Sequence, residues 1–330
     1  MRFFPLLFRM VRYKSALVLV LFMALSNVIH DPSASSLFGV PTFFMVMALV
    51  LVYACATCVN DLADWQIDTV NLKGHKDRPL VTGDAKRADI VVLAIMTAVG
   101  AVIFGALVNS LAMWVVVIGL ILNTAYSLKP IQVSHRAVLT PFYLAFCYVL
   151  VSYTAGFAVA QQAGGSFQWL YLVAFYFLFF GRISLKDFRD RKGDKMAGKP
   201  TLILKYGKKV VCTLSTSAIL VGSGCLLMAI YPRFYLQVVV IFFLVTLVVI
   251  ETTLYKTKSQ LRELLSVGYG ARMGNGILFG LLGTLLLESQ RATMADIVVF
   301  YGALMLGYGW MFFRYTRSPE MFYFGRKKVT

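Results

Sequence analysis

Long apolar runs alternate with short polar segments along nearly the whole chain. Crossing the hydrocarbon core of a bilayer takes about 20 helical residues, and about ten runs reach or approach that length. They lie roughly at 15–29, 42–59, 89–107, 110–126, 138–160, 168–183, 209–230, 234–255, 271–287 and 296–313. This pattern predicts an all-α integral membrane protein, a bundle of nine to ten transmembrane helices. The first run has no small-residue cleavage site, so we interpret it as a span rather than a cleaved signal.

The composition agrees with a membrane bundle and gives no sign of a second domain. The 330 residues are 59% hydrophobic with a mean hydropathy of +0.75, above the usual apolar share of a soluble domain. No compositional shift divides the chain, so we expect residues 1–330 to form a single transmembrane domain. The five cysteines are scattered and predict no disulfide framework.

The net charge of +17 follows the expected membrane topology. If the N-terminus is inside and the chain crosses about ten times, only Arg233 and Arg291 of the 32 lysines and arginines fall in outside loops. Such a bias is what the positive-inside rule produces. It predicts a multi-pass membrane protein whose two polar loops, about 60–88 and 182–209, face the cytoplasm. We therefore attribute the charge to topology and expect no nucleic-acid partner.

An acidic cluster follows the second apolar run, and we call it the first acidic motif: Asn60, Asp61, Asp64 and Asp68. If a helix continues through it, Asn60, Asp64 and Asp68 lie four residues apart on one face. Oxygen ligands crowded on one face repel one another unless a hard cation or a positive group lies among them. Taken alone, the cluster could equally be a solvated helix end.

A second cluster follows the sixth apolar run, and we call it the second acidic motif: Asp187, Asp190 and Asp194, preceded by Lys186. In a helix these three aspartates also share a face. The chain has only fifteen acids, and the two loops hold those at positions 61, 64, 68, 77, 84, 187, 190 and 194. Solvation of the loops does not require so many acids in two short segments. Two facing clusters that bracket metal ions and a polyanionic substrate do require them.

Basic residues near these clusters are candidates for phosphate binding, because metal and guanidinium together neutralise several negative charges. Arg78 precedes a Pro79–Gly83 turn, and Lys73 lies a few residues earlier. Tyr126 and Lys129 end the fourth run, with Arg136 in the following loop. Any inside loop of a membrane protein also carries basic residues for topology alone. The aromatic runs 138–160 and 168–183 contain rings that could stabilise a carbocation, although most such rings serve packing.

The two motifs together resemble those of the UbiA-type intramembrane prenyltransferase superfamily. The matching elements are Asn60-Asp-x-x-Asp-x-x-x-Asp68, Arg78-Pro-Leu-x-x-Gly83, Tyr126-Ser-x-x-Pro130, Lys186-Asp-x-x-Asp-x-x-Gly-Asp194 and Gly198-Lys-Pro-Thr201. Their order, and their places after spans two, four and six, also agree with the family. The resemblance covers roughly residues 14 to 255. Family members commonly have nine spans, one fewer than the runs counted here.

The resemblance implies a helical bundle around a central cavity and Mg²⁺-dependent transfer of an isoprenyl group from its diphosphate to a lipophilic or aromatic acceptor within the membrane. Mg²⁺, with Mn²⁺ as an expected substitute, would be bound by both acidic motifs. The implied metal ligands are Asn60, Asp61, Asp64, Asp68, Asp187, Asp190 and Asp194. The implied diphosphate-binding residues are Lys73, Arg78, Lys129, Arg136 and Lys186. The implied catalytic residues are Asp64, Tyr126, Lys129 and Asp190.

Two other functions fit parts of the pattern. A terpene cyclase of the same superfamily would use the same ionisation and quench the cation internally. A membrane transporter would also have many spans, but transporters place ionisable residues near the bilayer midplane and show repeat symmetry. Here the acids lie at helix ends and no convincing repeat is found. Prenyl transfer is therefore the predicted function, with cyclisation as the alternative.

Overall fold

The computed structural model describes residues 3–32, 37–71, 78–161 and 164–317, which are almost entirely helical. In chain order the helices are α1 Phe3–Val11, α2 Tyr13–His30, α3 Val40–Ala63, α4 Trp65–Asn71, α5 Pro79–Thr82, α6 Arg87–Val108, α7 Ser110–Ser127, α8 Leu139–Ala160, α9 Trp169–Ser184, α10 Asp187–Met196, α11 Leu202–Ala229, α12 Phe234–Lys256, α13 Gln260–Ser289 and α14 Met294–Arg317. A π-helical turn, Phe146–Leu150, lies within α8. No strand occurs in these four ranges.

Nine helices in the described part of the chain are long and apolar enough to cross a membrane. The remaining predicted span, α9, has 16 residues and is joined to the polar helix α10 by a bend of 49°. The pair would make a tenth span if counted together. The predicted all-α bundle with nine to ten spans is confirmed, and the chain is a multi-pass membrane protein.

Buried apolar side chains form five clusters in the described part of the chain, and two of them are the largest. One contains Phe22, Phe175 and Phe243, from α2, α9 and α12. The other contains Leu49 and Val116, from α3 and α7, and α6 packs along α3 beside it. Because lipid is as apolar as these side chains, the helices are held together largely by close packing.

The contact between α9 and α11 depends on a glycine. A Cβ atom on Gly222 would lie 2.9 Å from the carbonyl oxygen of Ala174 and 2.7 Å from the backbone nitrogen of Leu178. Only glycine lets the two backbones approach this closely. The close approach fixes α9, and with it the polar helix α10 that follows.

The spacing of the first acidic motif fits one continuous helix, but in the structure a break interrupts that helix. Helix α3 ends at Ala63, and Asp64 leaves the helical conformation with φ −99° and ψ 12°. The backbone N–H of Asp64 still donates to the carbonyl of Asn60 at 2.8 Å, and that of Asp68 to the carbonyl of Asp64 at 2.9 Å. The four-residue spacing therefore survives the break between α3 and α4.

The second acidic motif lies entirely on α10, as expected. A turn after this helix carries Gly198, whose φ of +64° favours glycine. The backbone N–H of Lys199 then donates to the carbonyl of Asp194 at 2.9 Å. This turn directs the Lys199 side chain back toward the acidic motifs.

Candidate active site

A cavity of about 690 Å³ lies between the two acidic motifs. The lining residues that belong to the motifs are Asn60, Asp64, Asp68, Asp187, Asp190 and Asp194. Two sequences more than 100 residues apart therefore face one space, because α4 packs against α10 there. Asp61 is buried and does not line the cavity.

Asp61 is the buried anchor of the first motif. Its Oδ1 atom lies 2.5 Å from a guanidinium nitrogen of Arg12 and also accepts a hydrogen bond from Arg78. Arg78 in turn lies 2.8 Å from Oδ2 of Asp68. One arginine thus bridges two carboxylates of the motif, and its planar, multiply donating guanidinium is suited to that role.

Asp64 is held by neighbours from three other parts of the site. Nζ of Lys199 lies 2.9 Å from Oδ2 of Asp64, and the amide of Asn60 donates to the same oxygen at 3.2 Å. The imidazole of His135 is 3.9 Å from Oδ1. Burial and the neighbouring Lys199 lower the pKa of His135. The imidazole is therefore neutral at neutral pH, and Lys199 supplies the counter-charge.

The aspartates outside the spanning segments differ in acidity. The guanidinium of Arg189 donates to both oxygens of Asp190, at 2.8 and 3.0 Å. Although burial opposes it, this pair lowers the pKa of Asp190. Burial raises the pKa of Asp68 and that of Asp194, each to about 6. Burial also raises the pKa of Asp187.

Tyr126 and Lys186 connect α7 to the start of α10 on the cavity wall. Lys186 Nζ donates to the Tyr126 hydroxyl at 2.8 Å and lies 5.4 Å from the centre of that ring. The Tyr126 ring stacks on Tyr143, with centroids 6.3 Å apart. These contacts orient the lysine ammonium toward the acidic side of the cavity.

An aromatic and apolar wall lines another side of the same cavity. Its members include Tyr53, Leu144 and Tyr148. The Tyr148 ring stacks on Phe179 with centroids 5.0 Å apart, and meets Tyr53 edge-on at 6.1 Å. The cavity therefore combines a charged region with an apolar one, which suits a ligand with a charged head and a hydrocarbon chain.

The donor atoms of the first motif suit a hard divalent cation. Oδ2 of Asp61 and Oδ1 of Asp64 are buried and accept no hydrogen bond, and Oδ2 of Asp68 is held by its ion pair with Arg78. Such oxygens are ligands that Mg²⁺ prefers. Within the described ranges, no three histidine, cysteine or acidic side chains are gathered into a ready metal cluster. The reason is that basic side chains occupy the space between the carboxylates, as Lys199 does beside Asp64.

The structure places the other predicted site residues differently. Arg78, Tyr126 and Lys186 line the cavity. Lys129 and Arg136 are exposed and do not belong to the lining set. The geometry of the cavity therefore lends no support to their predicted direct roles. Lys73 lies outside the described residues.

Three basic residues of the site were absent from the predicted set: Arg12, Arg189 and Lys199. All three line the cavity. Arg189 lies inside the second motif and Lys199 inside the Gly198–Thr201 element, so their positions in the sequence were available signals. For Arg12 no such signal exists, because only the fold brings it to Asp61, 49 residues later.

Comparisons with known proteins agree with this architecture. The chain is 27% identical over 173 residues to the bacteriochlorophyll synthase 33 kDa chain of Cereibacter sphaeroides, covering 52% of this chain and 56% of that protein. It is 26% identical over 180 residues to the 4-hydroxybenzoate octaprenyltransferase of a Shewanella strain, covering 53% and 60%. The chain thus spans little more than half the length of these curated relatives.

A solved structure shows the same fold at low sequence identity. The UbiA homologue of Archaeoglobus fulgidus, bound to DMAPP and Mg²⁺, superposes with a TM-score of 0.67 at 15% identity. The match covers 85% of this chain and 99% of that one. The sequence profile of the UbiA prenyltransferase family matches residues 16–276. The chain therefore belongs to the UbiA prenyltransferase family, which confirms the predicted family.

Proposed function

We propose that this protein transfers an isoprenyl group from a prenyl diphosphate to a lipophilic acceptor within the membrane and releases diphosphate. The observation that carries the proposal is that both acidic motifs line one cavity, which also has an aromatic wall around Tyr148. A diphosphate suits the charged region and a prenyl chain the apolar one. The ligands named for the Archaeoglobus fulgidus homologue, DMAPP and Mg²⁺, support the same class of substrate.

Mg²⁺ is the proposed cofactor, held by the carboxylates of the two motifs. The ligands we propose are those of the sequence prediction: Asn60, Asp61, Asp64, Asp68, Asp187, Asp190 and Asp194. When bound, the ion supplies positive charge to a leaving diphosphate. Oδ2 of Asp61 and Oδ1 of Asp64, which are buried and accept no hydrogen bond, support this assignment. We expect Mn²⁺ to substitute, since it accepts the same oxygen ligands.

The basic residues bind and orient the diphosphate. Arg78 and Lys199 neutralise Asp68 and Asp64 in this structure. When a cation binds those carboxylates, both side chains become available to phosphate oxygens. Lys186 already lies at the cavity wall, oriented by Tyr126. Charge-assisted contacts of this kind stabilise the charge that develops on a departing group.

The transferred carbon reacts next to the aromatic wall. The bond between the prenyl carbon and the diphosphate oxygen breaks, and the electron pair leaves with the diphosphate. The acceptor nucleophile forms a bond to that carbon and loses a proton. The faces of Tyr53 and Tyr148 can stabilise positive charge on the allylic carbons. The apolar surroundings exclude water, which would otherwise capture the carbocation.

The proposal is tested by product analysis with the purified full-length protein. Geranylgeranyl diphosphate and a membrane lipid extract are incubated with it, with Mg²⁺ or with EDTA. We expect a prenylated lipid in the mass spectrum and an equal amount of free diphosphate, with Mg²⁺ only. Diphosphate with a cyclic hydrocarbon and no prenylated lipid would indicate the cyclase alternative. No Mg²⁺-dependent release of diphosphate would contradict both.

We also propose that the catalytic loops face the cytoplasm, because the basic residues of the chain concentrate on their side. A cysteine introduced at Lys195, exposed on α10, should be protected from an impermeant thiol reagent in intact cells. It should be labelled in inverted vesicles. Labelling in intact cells would contradict this orientation.

A further inference from the structure

Arg182 carries a charge in the last turn of α9 that neither acidic motif uses. Its guanidinium donates to the side-chain carbonyl of Asn275 on α13 and lies 5.8 Å from the centre of the Phe179 ring. No ion pair joins it to a carboxylate anywhere in the described ranges. By contrast, Arg12, Arg78 and Lys199 at the cavity each have an acidic partner, and Lys186 has a hydroxyl beside an acidic motif.

An arginine without a counter-charge in a membrane helix is costly, and such residues are functional candidates. Two structural effects could by themselves account for an arginine at the end of α9. A cation near a helix C-terminus is favoured by the helix dipole, and a long basic side chain near a helix end can extend to the interface. Arg182 instead turns inward, to Asn275 and Phe179, where a single neutral amide is its hydrogen-bond partner. Its remaining donors are left for a ligand, because the side chain is only partly buried.

Arg182 lies close to the reacting region. Phe179, which it contacts, stacks on Tyr148, and Tyr148 lines the cavity. The neighbouring Ile183 lines the cavity directly, whereas Arg182 is not a lining residue and reaches the cavity wall through Phe179. Arg182 and Asp187 lie on opposite sides of the 49° bend between α9 and α10. An anionic group at Arg182 would thus lie beside the apolar wall and apart from the diphosphate.

We propose that Arg182 and Asn275 form the binding site for an anionic group, a carboxylate or a phosphate, of the prenyl acceptor. Arg182 binds the anion through its planar guanidinium, and Asn275 orients that guanidinium. The inference rests on the proposed function, since it names the second substrate of the same cavity. It limits the acceptor to amphipathic molecules with one negative group close to the nucleophile.

The test measures binding in nanodiscs without prenyl diphosphate or Mg²⁺, so that turnover plays no part. One probe pair is pyropheophorbide a and its methyl ester, which differ in a carboxylate. The other is geranylgeranylglyceryl phosphate and its dephosphorylated ether. We expect the wild type to bind the anionic member of one pair about 10- to 150-fold more tightly than the neutral member. The pair that shows the preference identifies the class of anion.

Three variants assign this preference to the site. Arg182→Gln removes the charge but can still donate a hydrogen bond to Asn275. In Asn275→Asp, the new carboxylate neutralises the guanidinium of Arg182. Both variants should lose the preference for the anionic probe. Arg272→Gln is the matched control, because Arg272 is an exposed arginine on α13 that also lies over an aromatic ring, at 5.5 Å from Tyr269. It should keep the preference. Thermal unfolding checks that each variant is folded.

The failure of this inference is distinguishable from that of the proposed function. Binding of geranyl diphosphate with Mg²⁺ is measured on the same proteins and should change by no more than about twofold in Arg182→Gln. If the wild type binds no geranyl diphosphate, the proposed function fails, whatever Arg182 does. No preference for either anion in the wild type, or an unchanged preference in Arg182→Gln, would overturn the acceptor site.

Discussion

Nζ of Lys199 lies 2.9 Å from Oδ2 of Asp64, so a residue just after the second acidic motif neutralises a residue of the first. The two side chains are largely withdrawn from solvent, at 13% and 8% exposure. The pair therefore connects the ends of α3 and α10 across the cavity. Asp64 is also one of the proposed metal ligands, so Lys199 neutralises a carboxylate that a cation would otherwise neutralise.

The first prediction concerns this pair. Lys199→Met leaves the Asp64 carboxylate buried without its main counter-charge, and breaking a buried pair costs about 3–5 kcal/mol. We expect a lower thermal midpoint without metal, and a larger Mg²⁺-induced increase in that midpoint than the wild type shows. Lys205→Met, at an exposed lysine nearby, should behave like the wild type. An equal Mg²⁺ effect in all three proteins would show that Lys199 and the metal do not share Asp64.

The second prediction separates phosphate binding from topological charge. The sequence predicts equal effects at Arg78 and Lys129, but only Arg78 lines the cavity. Loss of a charge-assisted contact is worth about 1.5–3 kcal/mol, so Arg78→Ala should lower kcat/KM roughly 10- to 150-fold. Lys129→Ala should stay within about twofold, as for other surface changes. Equal, small effects at both positions would leave the basic loops a topological role only.

The third prediction concerns Tyr126. Tyr126→Phe removes the hydroxyl that accepts from Lys186, and we expect kcat/KM to fall about tenfold because the ammonium loses its orientation. Tyr143→Phe is the matched control, since its hydroxyl donates to the backbone carbonyl of Leu122 instead. It should have a much smaller effect. Steady-state kinetics with geranylgeranyl diphosphate measure both. A larger loss at Tyr143 would contradict the role of the Tyr126–Lys186 pair.

The fourth prediction is a pH dependence. Burial raises the pKa of Asp68 and Asp194 to about 6. A raised pKa means that these groups bind protons at a higher pH than free aspartate does, and a protonated carboxyl is a poor metal ligand. Mg²⁺-dependent binding of geranyl diphosphate should therefore weaken as the pH falls through 6. Each pH unit below that value should cost up to about tenfold per group. If binding instead weakened with a midpoint near pH 4, both carboxyl groups would have the acidity of a free aspartate.

The large-scale architecture could be predicted from sequence because its causes are local. Apolar runs of membrane-crossing length specify helices, and the order of the motifs specifies which helix ends carry them. The same reasoning predicts that Asn60 and Asp190 face one cavity, and both residues line it. Even the interruption at Asp64 leaves the predicted four-residue spacing intact.

Long-range pairing could not be predicted. Nothing local to Arg12 indicates that it ion-pairs with the buried Asp61, because that contact exists only after α1 packs against α3. The environment of Glu251 also could not be predicted. Its place near a helix end suggests the membrane interface, but in the structure it is buried and accepts a hydrogen bond from Ser215 at 3.1 Å. Which side of a helix faces a neighbour depends on packing between helices, and hydropathy alone does not fix it.

The central claim is that both acidic motifs together hold Mg²⁺ and a prenyl diphosphate, and it is tested most directly by binding. The ligand is a non-reactive thiolo analogue of geranyl diphosphate. The proteins are the wild type, Asp64→Asn, Asp190→Asn and the control Asp296→Asn, which changes an exposed aspartate on α14. We expect Mg²⁺-dependent binding by the wild type and the control. Each motif variant should lose at least about tenfold in affinity. Binding that needs no Mg²⁺, or that survives either motif substitution, would contradict the claim.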